Sequence, residues 1–231
     1  MPADAPAPDP SSPLPDEWHR RAELRDGTQV LLRPIRAQDR QRLAEGMARL
    51  SPRSRYLRFH TEVEELSEEQ LDYLSQVDHV DHEAIIAIDL DHPEIPGVGI
   101  ARYVRERSDP TIAEAAVTVA DEYQGKGAGT LLLGALAARA RENGISGFRS
   151  FVLVVNRAML ELFDDLGADR QIEPGGVWRV DLPVPHGDEP LPDSPAGRAF
   201  LEIARDEQRS ARVLPRFGHR PQRHHRTRDR R

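Results

Sequence analysis

A glycine-rich loop carries the clearest chemical signal in this chain. The only lysine of the sequence, Lys126, lies in the segment 124–129, Gln-Gly-Lys-Gly-Ala-Gly. Glycines let backbone N–H groups approach an anion closely, and a helix that starts here adds its positive N-terminal end. A strand-like run precedes the loop, and the apolar run from Thr130 to Asn143 follows it. The pattern predicts a phosphate-binding turn between a strand and a helix.

The spacing of the glycines does not match two other known phosphate-binding loops. A dinucleotide-binding loop requires Gly-x-Gly-x-x-Gly and an acidic residue about 20 positions further on, whereas the glycines here are Gly125, Gly127 and Gly129. A Walker loop requires Ser or Thr after its lysine, and Gly127 stands there instead. A plain glycine turn remains an alternative for the loop, and an exposed surface charge remains one for Lys126.

The pattern divides the chain into three parts. Residues 1–17 are rich in proline and are expected to be disordered. Residues 18–183 form the folded domain, because strand-like and helical patterns alternate there in the manner of a mixed α/β sheet. Residues 184–231 are expected to be a mostly disordered basic tail, in which 199–205 is amphipathic enough for a short helix. The predicted strands are 28–36, 83–90, 98–105, 111–120, 148–155 and 177–182, and the predicted helices are 39–49, 130–143 and 157–166, with two more starting at Ser51-Pro52 and at the capping box of Ser67 and Gln70.

Composition narrows the class of protein. The chain has no cysteine, which excludes disulfides, a thiolate nucleophile and cysteine-ligated metal. No run approaches the ~20 apolar residues of a membrane helix, and the start does not read as a signal peptide, so we expect a cytoplasmic protein. The formal charge is -7, and residues 216–231 contribute seven arginines against one aspartate, which leaves -13 for the remainder. Such a tail is usually solvated, and we do not expect nucleic acid to be its main partner.

The loop and its flanking elements resemble the GCN5-related N-acetyltransferase (GNAT) superfamily. The signature of that family is Gln or Arg, two residues, Gly, one residue, and Gly or Ala, which Gln124, Gly127 and Gly129 satisfy. The resemblance covers about residues 24–183 and is strongest over 114–167. It implies a GNAT fold: a mixed, mostly antiparallel central sheet flanked by helices, with two splayed strands forming an acyl-CoA cleft.

The resemblance also implies acetyl-CoA as co-substrate and assigns residues to it. The loop amides would hold the pyrophosphate, Lys126 would reach a phosphate oxygen, and residues 117–119 would pair with the pantetheine arm like an added strand. Asn156 would contact the end of the pantetheine, although capping a helix is an alternative role. The expected cofactor-binding residues are Val117, Thr118, Val119, Gln124, Gly125, Lys126, Gly127, Ala128, Gly129, Thr130 and Asn156.

Glu114 is the expected general base. It lies ten residues before Gln124, on the strand where several GNAT members place a catalytic glutamate, and alanines surround it. Partial burial would make it a better base, and a surface glutamate on an edge strand is the alternative. Many family members carry a tyrosine four residues before the glycine that ends the last helix, and Phe163 occupies that position. Phe163 cannot protonate a thiolate, and Tyr123 and Tyr103 are unsupported substitutes.

The segment 78–83, Asp-His-Val-Asp-His-Glu, has the composition of a metal site. It precedes a strand that needs a polar entry turn, and its histidines have no distant partner group, so we expect no metal. His82 could serve as an auxiliary base, against a turn or strand-edge hydrogen bond as the alternative.

Segments 33–36, 50–59 and 81–84 resemble the bacterial protein lysine acetyltransferases related to Pat. The resemblance implies transfer of an acetyl group to a protein lysine, with acyl-CoA synthetases among the substrates, and nothing in the chain resembles the cyclic-nucleotide module fused to some of them. Two alternatives remain: acetylation of a small-molecule amine, and a non-catalytic acyl-CoA-binding regulator whose basic tail binds a partner or nucleic acid. An acidic body favours cationic acceptors of any size.

Overall fold

The computed structural model describes residues 18–186 and 191–205. The proline-rich start and the arginine-rich end, for which the sequence predicts disorder, lie outside these residues. Within them the chain folds around a single eight-stranded sheet.

The sheet is antiparallel at every pairing except one. Its strand order is β1-β2-β3-β4-β5-β6-β8-β7, and the parallel pair is β5 with β6. The first five strands follow one another as neighbours. Short connections join β1 to β2, β4 to β5 and, as the sequence predicts, β3 to β4, whereas residues 35–81, which contain three α-helices, join β2 to β3. The strands are β1 (Arg20–Glu23), β2 (Gln29–Pro34), β3 (His82–Asp89), β4 (Gly99–Arg105), β5 (Ile112–Val119), β6 (Gly147–Leu153), β7 (Asp169–Glu173) and β8 (Val177–Pro183).

Six α-helices flank the sheet in the described residues, and their starts follow the sequence signals. Ser51 accepts a hydrogen bond from the Ser54 N–H, and Pro52 takes the first helical position. Ser67 and Gln70 form the predicted capping box. The helices are α1 (Arg40–Arg49), α2 (Pro52–Phe59), α3 (Glu68–Ser75), α4 (Ala128–Glu142), α5 (Arg157–Asp165) and α6 (Pro195–Arg205).

The two faces of the sheet carry separate apolar cores. Along β3, Ile85 and Ala87 belong to the larger core, while Ala84, Ile86 and Ile88 belong to a second cluster with Ile35. This alternation is the two-residue period of a strand that is buried on both faces. Helix α4 supplies much of the larger core, and Leu43 of α1 and Val77, just after α3, pack against the second cluster.

The packed region extends beyond residue 183, where the sequence predicts a mostly disordered tail. Helix α6 buries Phe200 completely and packs against α4. The helices approach so closely that a Cβ on Gly134 would lie 2.8 Å from the Phe200 carbonyl oxygen. The sequence indicates the amphipathic stretch but not its docking, because the glycine that admits α6 lies on another helix.

Two strands have no counterpart in the prediction. Strands β1 and β7 are short, mostly polar and at the edges of the sheet. Residues at such edges show little apolar alternation, which is the signal that identifies a strand from sequence.

Candidate active site

Strands β5 and β6 separate after three residue pairs. Ile112, Ala113 and Glu114 pair with residues 147–149, and the Ser150 hydroxyl then donates to the Ala115 carbonyl at 2.7 Å. Beyond this point residues 117–119 pair only with β4. The splayed pair of strands that the family resemblance implies is therefore present, and the gap between them leaves one edge of β5 open.

The glycine loop closes one end of this gap. Gly125 and Gly127 have φ angles of 72° and 91°, in the left-handed region that favours glycine. The first hydrogen bond back into the loop runs from the Leu131 N–H to the Gly127 carbonyl at 3.2 Å. The N–H groups of residues 128–130 precede it and have no acceptor in the helix, so they can bind an anion.

A cleft of about 640 Å³ joins the loop to the open edge of β5. We call it the loop cleft. Its volume is in the range of small-molecule and cofactor sites. Its walls contain ten of the eleven expected cofactor-binding residues: Val117, Thr118, Val119, Gln124, Gly125, Gly127, Ala128, Gly129, Thr130 and Asn156.

Lys126 is the expected residue that does not line the loop cleft. Its Nζ lies 2.8 Å from Asp26 Oδ2 and 5.2 Å from the centre of the Tyr123 ring. The hydrogen bond from Lys126 is the main reason why the pKa of Asp26 falls to about 2. The lysine charge is thus already partnered by a carboxylate from the β1–β2 turn.

Four arginines that were not among the expected cofactor-binding residues line the loop cleft instead. They are Arg25, Arg53, Arg58 and Arg157. The Arg25 N–H donates to the Lys126 carbonyl at 2.9 Å, and its side chain lies 3.6 Å from the position of a Cβ on Gly127. No local signal identifies Arg25, because the β1–β2 hairpin that carries it was not predicted.

Gln124 and Asn156 both have structural partners. The Gln124 amide donates to the Val119 carbonyl and to Ser54 Oγ, each at 3.1 Å, and so ties the loop to β5 and α2. Asn156 Oδ1 accepts from the Met159 N–H at 3.4 Å as the N-cap of α5. Asn156 also lines both the loop cleft and the cavity around Glu114. Its role as the N-cap of α5 is therefore compatible with a position beside the gap.

Glu114 lies at the other end of the gap, in a cavity of about 380 Å³. We call it the Glu114 cavity. The carboxylate has no hydrogen bond or ion pair with any residue in 18–186 or 191–205. Its register partner on β6, Arg149, is held by Asp181 at 2.8 Å and Glu106 at 3.0 Å, and the Asp181 hydrogen bond raises the pKa of Arg149. Glu114 is exposed, whereas the sequence argument expected partial burial.

Two cationic residues from the end of α2, Arg58 and His60, share the Glu114 cavity. Burial lowers the pKa of Arg58, while attraction to Glu114 opposes that shift. His60 is in the left-handed conformation at the C-cap of α2, and burial together with Arg58 lowers its pKa. Both line the cavity together with the candidate base, and Glu114 attracts the charge of each.

Phe163 is buried in the wall of the Glu114 cavity, at the place where the family resemblance implies a tyrosine. The two substitute tyrosines are engaged elsewhere. The Tyr123 hydroxyl donates to Asp89 at 2.8 Å, and the Tyr103 hydroxyl donates to the Val80 carbonyl at 3.1 Å. Burial raises the pKa of both phenols, so neither is a suitable proton donor for a thiolate.

The segment 78–83 forms a turn and a buried ion pair. Asp78 Oδ1 accepts the N–H groups of residues 80–82 at 2.8–2.9 Å. Buried Glu83 accepts from His79 Nδ1 at 2.7 Å and Arg139 Nε at 3.0 Å. Across residues 18–186 and 191–205, no group of three or more His, Asp and Glu side chains is placed to hold a metal.

His82 is a strand residue in contact with an arginine. Its Nε2 lies 2.9 Å from the Arg102 guanidinium, and its ring packs 4.9 Å from that of Tyr73. Burial, and secondly Arg102, lower the pKa of His82 to about 4. His82 does not line the Glu114 cavity, so this structure gives it the strand-edge role rather than that of an auxiliary base.

A mostly antiparallel sheet that opens beside a glycine loop defines the GNAT acyltransferase fold, and comparison with solved structures agrees. The GNAT domain of S. lividans PAT superposes with a TM-score of 0.68 at 30% identity, over 73% of this chain and 98% of that one. A cAMP-binding acyltransferase from Mycobacterium smegmatis superposes with a TM-score of 0.54 at 31% identity, over 81% of this chain and 56% of that one.

Sequence comparison identifies the family. The profile of the acetyltransferase (GNAT) family matches residues 46–168. The chain is 38% identical to acetyltransferase PA5475 of Pseudomonas aeruginosa over 71% of this chain and 87% of that protein. It is 34% identical to acetyltransferase Pat of Mycolicibacterium smegmatis over 81% of this chain, and the match spans 54% of Pat. The chain therefore belongs to the GNAT family and is an N-acetyltransferase with a Pat-like catalytic domain.

In the part of the chain that the structure describes, no helix combines the length and apolar character needed to cross a bilayer.

Proposed function

We propose that this protein transfers the acetyl group of acetyl-CoA to a primary amine, with the lysine side chain of another protein as acceptor. The observation that carries the proposal is the arrangement of the gap between β5 and β6. Free loop amides stand at one end of it and an unpaired carboxylate, Glu114, stands at the other. GNAT acetyltransferases use acetyl-CoA, and this gap is where the co-substrate would lie.

The residues of the loop cleft suit the three parts of coenzyme A. The amides of residues 125–130 would bind the pyrophosphate, and Arg25, Arg53 and Arg157 would add positive charge around it. The open edge of residues 117–119 would hydrogen-bond the pantetheine arm as a strand does. The thioester would then lie beside the junction of the loop cleft and the Glu114 cavity, which Val117 and Asn156 share.

Glu114 would act as the general base. An ordinary lysine has a pKa near 10.4, so making it neutral at pH 7 costs about 4.6 kcal/mol, which a base at the site offsets. The neutral nitrogen attacks the thioester carbonyl carbon, the C–N bond forms, the C–S bond breaks, and the amine proton passes to Glu114. The Val117 N–H would stabilise the oxyanion.

The departing thiolate needs no tyrosine in this scheme. A thiol has a pKa of about 8.5, well below that of an amine, so the thiolate is a good leaving group without protonation in the transition state. Solvent can supply its proton afterwards. Phe163 is thereby compatible with turnover, and its buried ring keeps that wall of the Glu114 cavity apolar.

Similarity supports a protein acceptor, and charge supports a cationic acceptor of any size. The chain outside residues 216–231 carries a formal charge of -13, which attracts cationic substrates over a distance. The match to Pat at 34% identity includes the segment around α2, which forms a wall of the Glu114 cavity. A lysine on an exposed loop of another protein could reach Glu114, because the carboxylate is exposed.

Replacing Glu114 with Gln tests the mechanism. Turnover should fall about a hundredfold or more, because the amide cannot accept the proton, while the Kd for acetyl-CoA stays nearly constant. Glu69→Gln is the matched control, since this exposed glutamate lies on α3 outside both cavities. Unchanged turnover in Glu114→Gln would remove the assignment of Glu114 as base.

The acceptor is tested separately. The wild-type protein is incubated with labelled acetyl-CoA and either a cell lysate or a panel of small amines, and mass spectrometry locates the label. Background from self-acetylation is restricted, because Lys126 is the only lysine of the enzyme. We expect label on lysines of particular proteins; label on small amines alone would overturn the protein acceptor and leave the acetyltransferase chemistry intact.

A further inference from the structure

A third cavity, of about 110 Å³, lies between helices α1–α3 and the sheet. We call it the α1–α3 cavity. It is large enough for a few non-hydrogen atoms, since a cavity of 150 Å³ holds benzene. Its walls are mainly apolar and include Leu43, Met47, Leu50, Phe59, Ile86 and Ile100.

The α1–α3 cavity adjoins the loop cleft. Thr118 and Arg58 line both spaces, and Thr118 belongs to the β5 segment that we assign to the pantetheine arm. Glu114 is not among the residues that line it. Arg58 and Phe59 also line the Glu114 cavity, so the α1–α3 cavity adjoins the place where the thioester would lie. The group that enters it would be the acyl end of the thioester, because the attacking amine has to stay beside Glu114, which does not line it.

Two arginines in the cavity wall form no ion pair with a carboxylate of residues 18–186 or 191–205. Arg102 is 7% exposed, and its guanidinium donates to the Leu74 carbonyl at 3.0 Å and to His82 Nε2 at 2.9 Å, which are both uncharged acceptors. Arg58 has no hydrogen bond or ion pair with any described residue. Burial, and then the nearby Arg58, lower the pKa of Arg102 to about 10.

The one carboxylate in the wall is already neutralised. Asp39 accepts two hydrogen bonds of 2.7 Å from Arg33 and a third from the Arg36 N–H. Arg42, the remaining charged residue of the wall, donates to the carbonyl groups of residues 95 and 96. Neither Arg58 nor Arg102 is therefore paired with a carboxylate inside the cavity, although Glu114 attracts Arg58 from the adjoining Glu114 cavity. A buried cation is costly until an anion pairs with it, and this applies most to Arg102.

We propose that the α1–α3 cavity is an acyl-group pocket that selects short acyl groups ending in a carboxylate, of the size of succinyl. The inference rests on the proposed function and names its donor more narrowly. The methylene groups would lie against the apolar wall, and the terminal carboxylate would accept charge-assisted hydrogen bonds from Arg58 and Arg102. The transfer is the same displacement: the amine nitrogen bonds to the succinyl carbonyl carbon, the C–S bond breaks, coenzyme A leaves as thiolate, and Glu114 takes the amine proton.

Succinyl-CoA and butyryl-CoA provide a matched comparison, because both acyl groups have four carbons and differ by a carboxylate in place of a methyl group. The Kd of the full-length protein for each is measured by calorimetry, and kcat/KM by release of free thiol with a lysine peptide. We expect succinyl-CoA to be preferred by about tenfold or more, which corresponds to ~1.4 kcal/mol. Equal Kd and kcat/KM values for the two compounds, or a preference for butyryl-CoA, would refute the proposed acyl-group pocket.

Arg102→Gln and Arg58→Gln should each bring the succinyl-to-butyryl ratio of Kd values close to one. Two variants are used because Arg102 is the more buried and its replacement is the more disruptive to folding. Arg55→Gln is the control: it removes the same charge from α2, but Arg55 lines none of the three cavities. A ratio that stays at the wild-type value in Arg58→Gln refutes the role of the arginines.

Failure of the two proposals can be distinguished. If acetyl-CoA, butyryl-CoA and succinyl-CoA all fail to bind, the proposed function itself is wrong. If acetyl-CoA binds and is turned over but the carboxylate gives no advantage, only the acyl pocket is wrong.

Discussion

Replacing Lys126 and Arg25 in parallel decides which cation holds the phosphates of coenzyme A. The sequence motif favours the lysine, whereas the structure pairs its Nζ with Asp26 at 2.8 Å and places Arg25 in the wall of the loop cleft. A charge-assisted hydrogen bond contributes about 1.5–3 kcal/mol, so Arg25→Gln should raise the Kd for coenzyme A about 10- to 150-fold. Lys126→Gln should raise it less than about threefold, because it removes an exposed pair outside the cleft.

Calorimetry with coenzyme A at about 150 mM salt measures both constants where long-range charge effects are largely screened. Each variant removes one positive charge, so each serves as the control for the other. A loss of affinity in Lys126→Gln that equals or exceeds the loss in Arg25→Gln would refute the reasoning. It would mean that Lys126 leaves Asp26 and turns toward the ligand on binding.

Three further predictions concern stability and pH. Gly127→Ala should lower the unfolding free energy by about 1–2 kcal/mol and weaken coenzyme A binding, because φ is 91° at this position. A variant whose melting temperature and coenzyme A affinity equal those of the wild type would contradict this. Phe200→Ala should lower the unfolding free energy measured in urea by about 3–5 kcal/mol, because Phe200 is fully buried. The loss in Leu201→Ala should be much smaller, because Leu201 is half-exposed. Equal losses in the two variants would show that α6 is not docked. The folded protein should lose stability as the pH falls from 6.5 toward 4. The pKa of His82 is lowered to about 4 in the folded protein, so over this range the unfolded chain binds the proton and the folded chain does not. The loss should be at most about 3 kcal/mol and smaller in His82→Gln; identical pH profiles would contradict it.

Local patterns predicted those parts of the molecule that depend on local contacts. The Ser51-Pro52 start and the Ser67 capping box were predictable, because each joins residues three positions apart or fewer. The glycine loop was predictable because only glycine readily adopts the positive φ angles found at Gly125 and Gly127. The splayed strands were implied only by resemblance, since no pattern within β5 or β6 specifies where their pairing stops.

Long-range partners account for what the sequence did not show. The side chain of Lys126 pairs with Asp26, on a hairpin whose first strand is too short and polar to be predicted. The same hairpin brings Arg25 to the loop. Docking of α6 depends on Gly134, which reads in sequence as an unremarkable small residue of an apolar helix.

The availability of Glu114 depends on contacts made by other strands. Arg149 is its register partner on β6 and would neutralise it if its guanidinium were free. Asp181 on β8 and Glu106 after β4 hold that guanidinium instead. Removing either acid should therefore impair the base indirectly, because the released arginine can pair with Glu114 and lower its tendency to accept a proton. The proposed role of Glu114 as base therefore depends on two further carboxylates, Asp181 and Glu106, which hold Arg149 away from it.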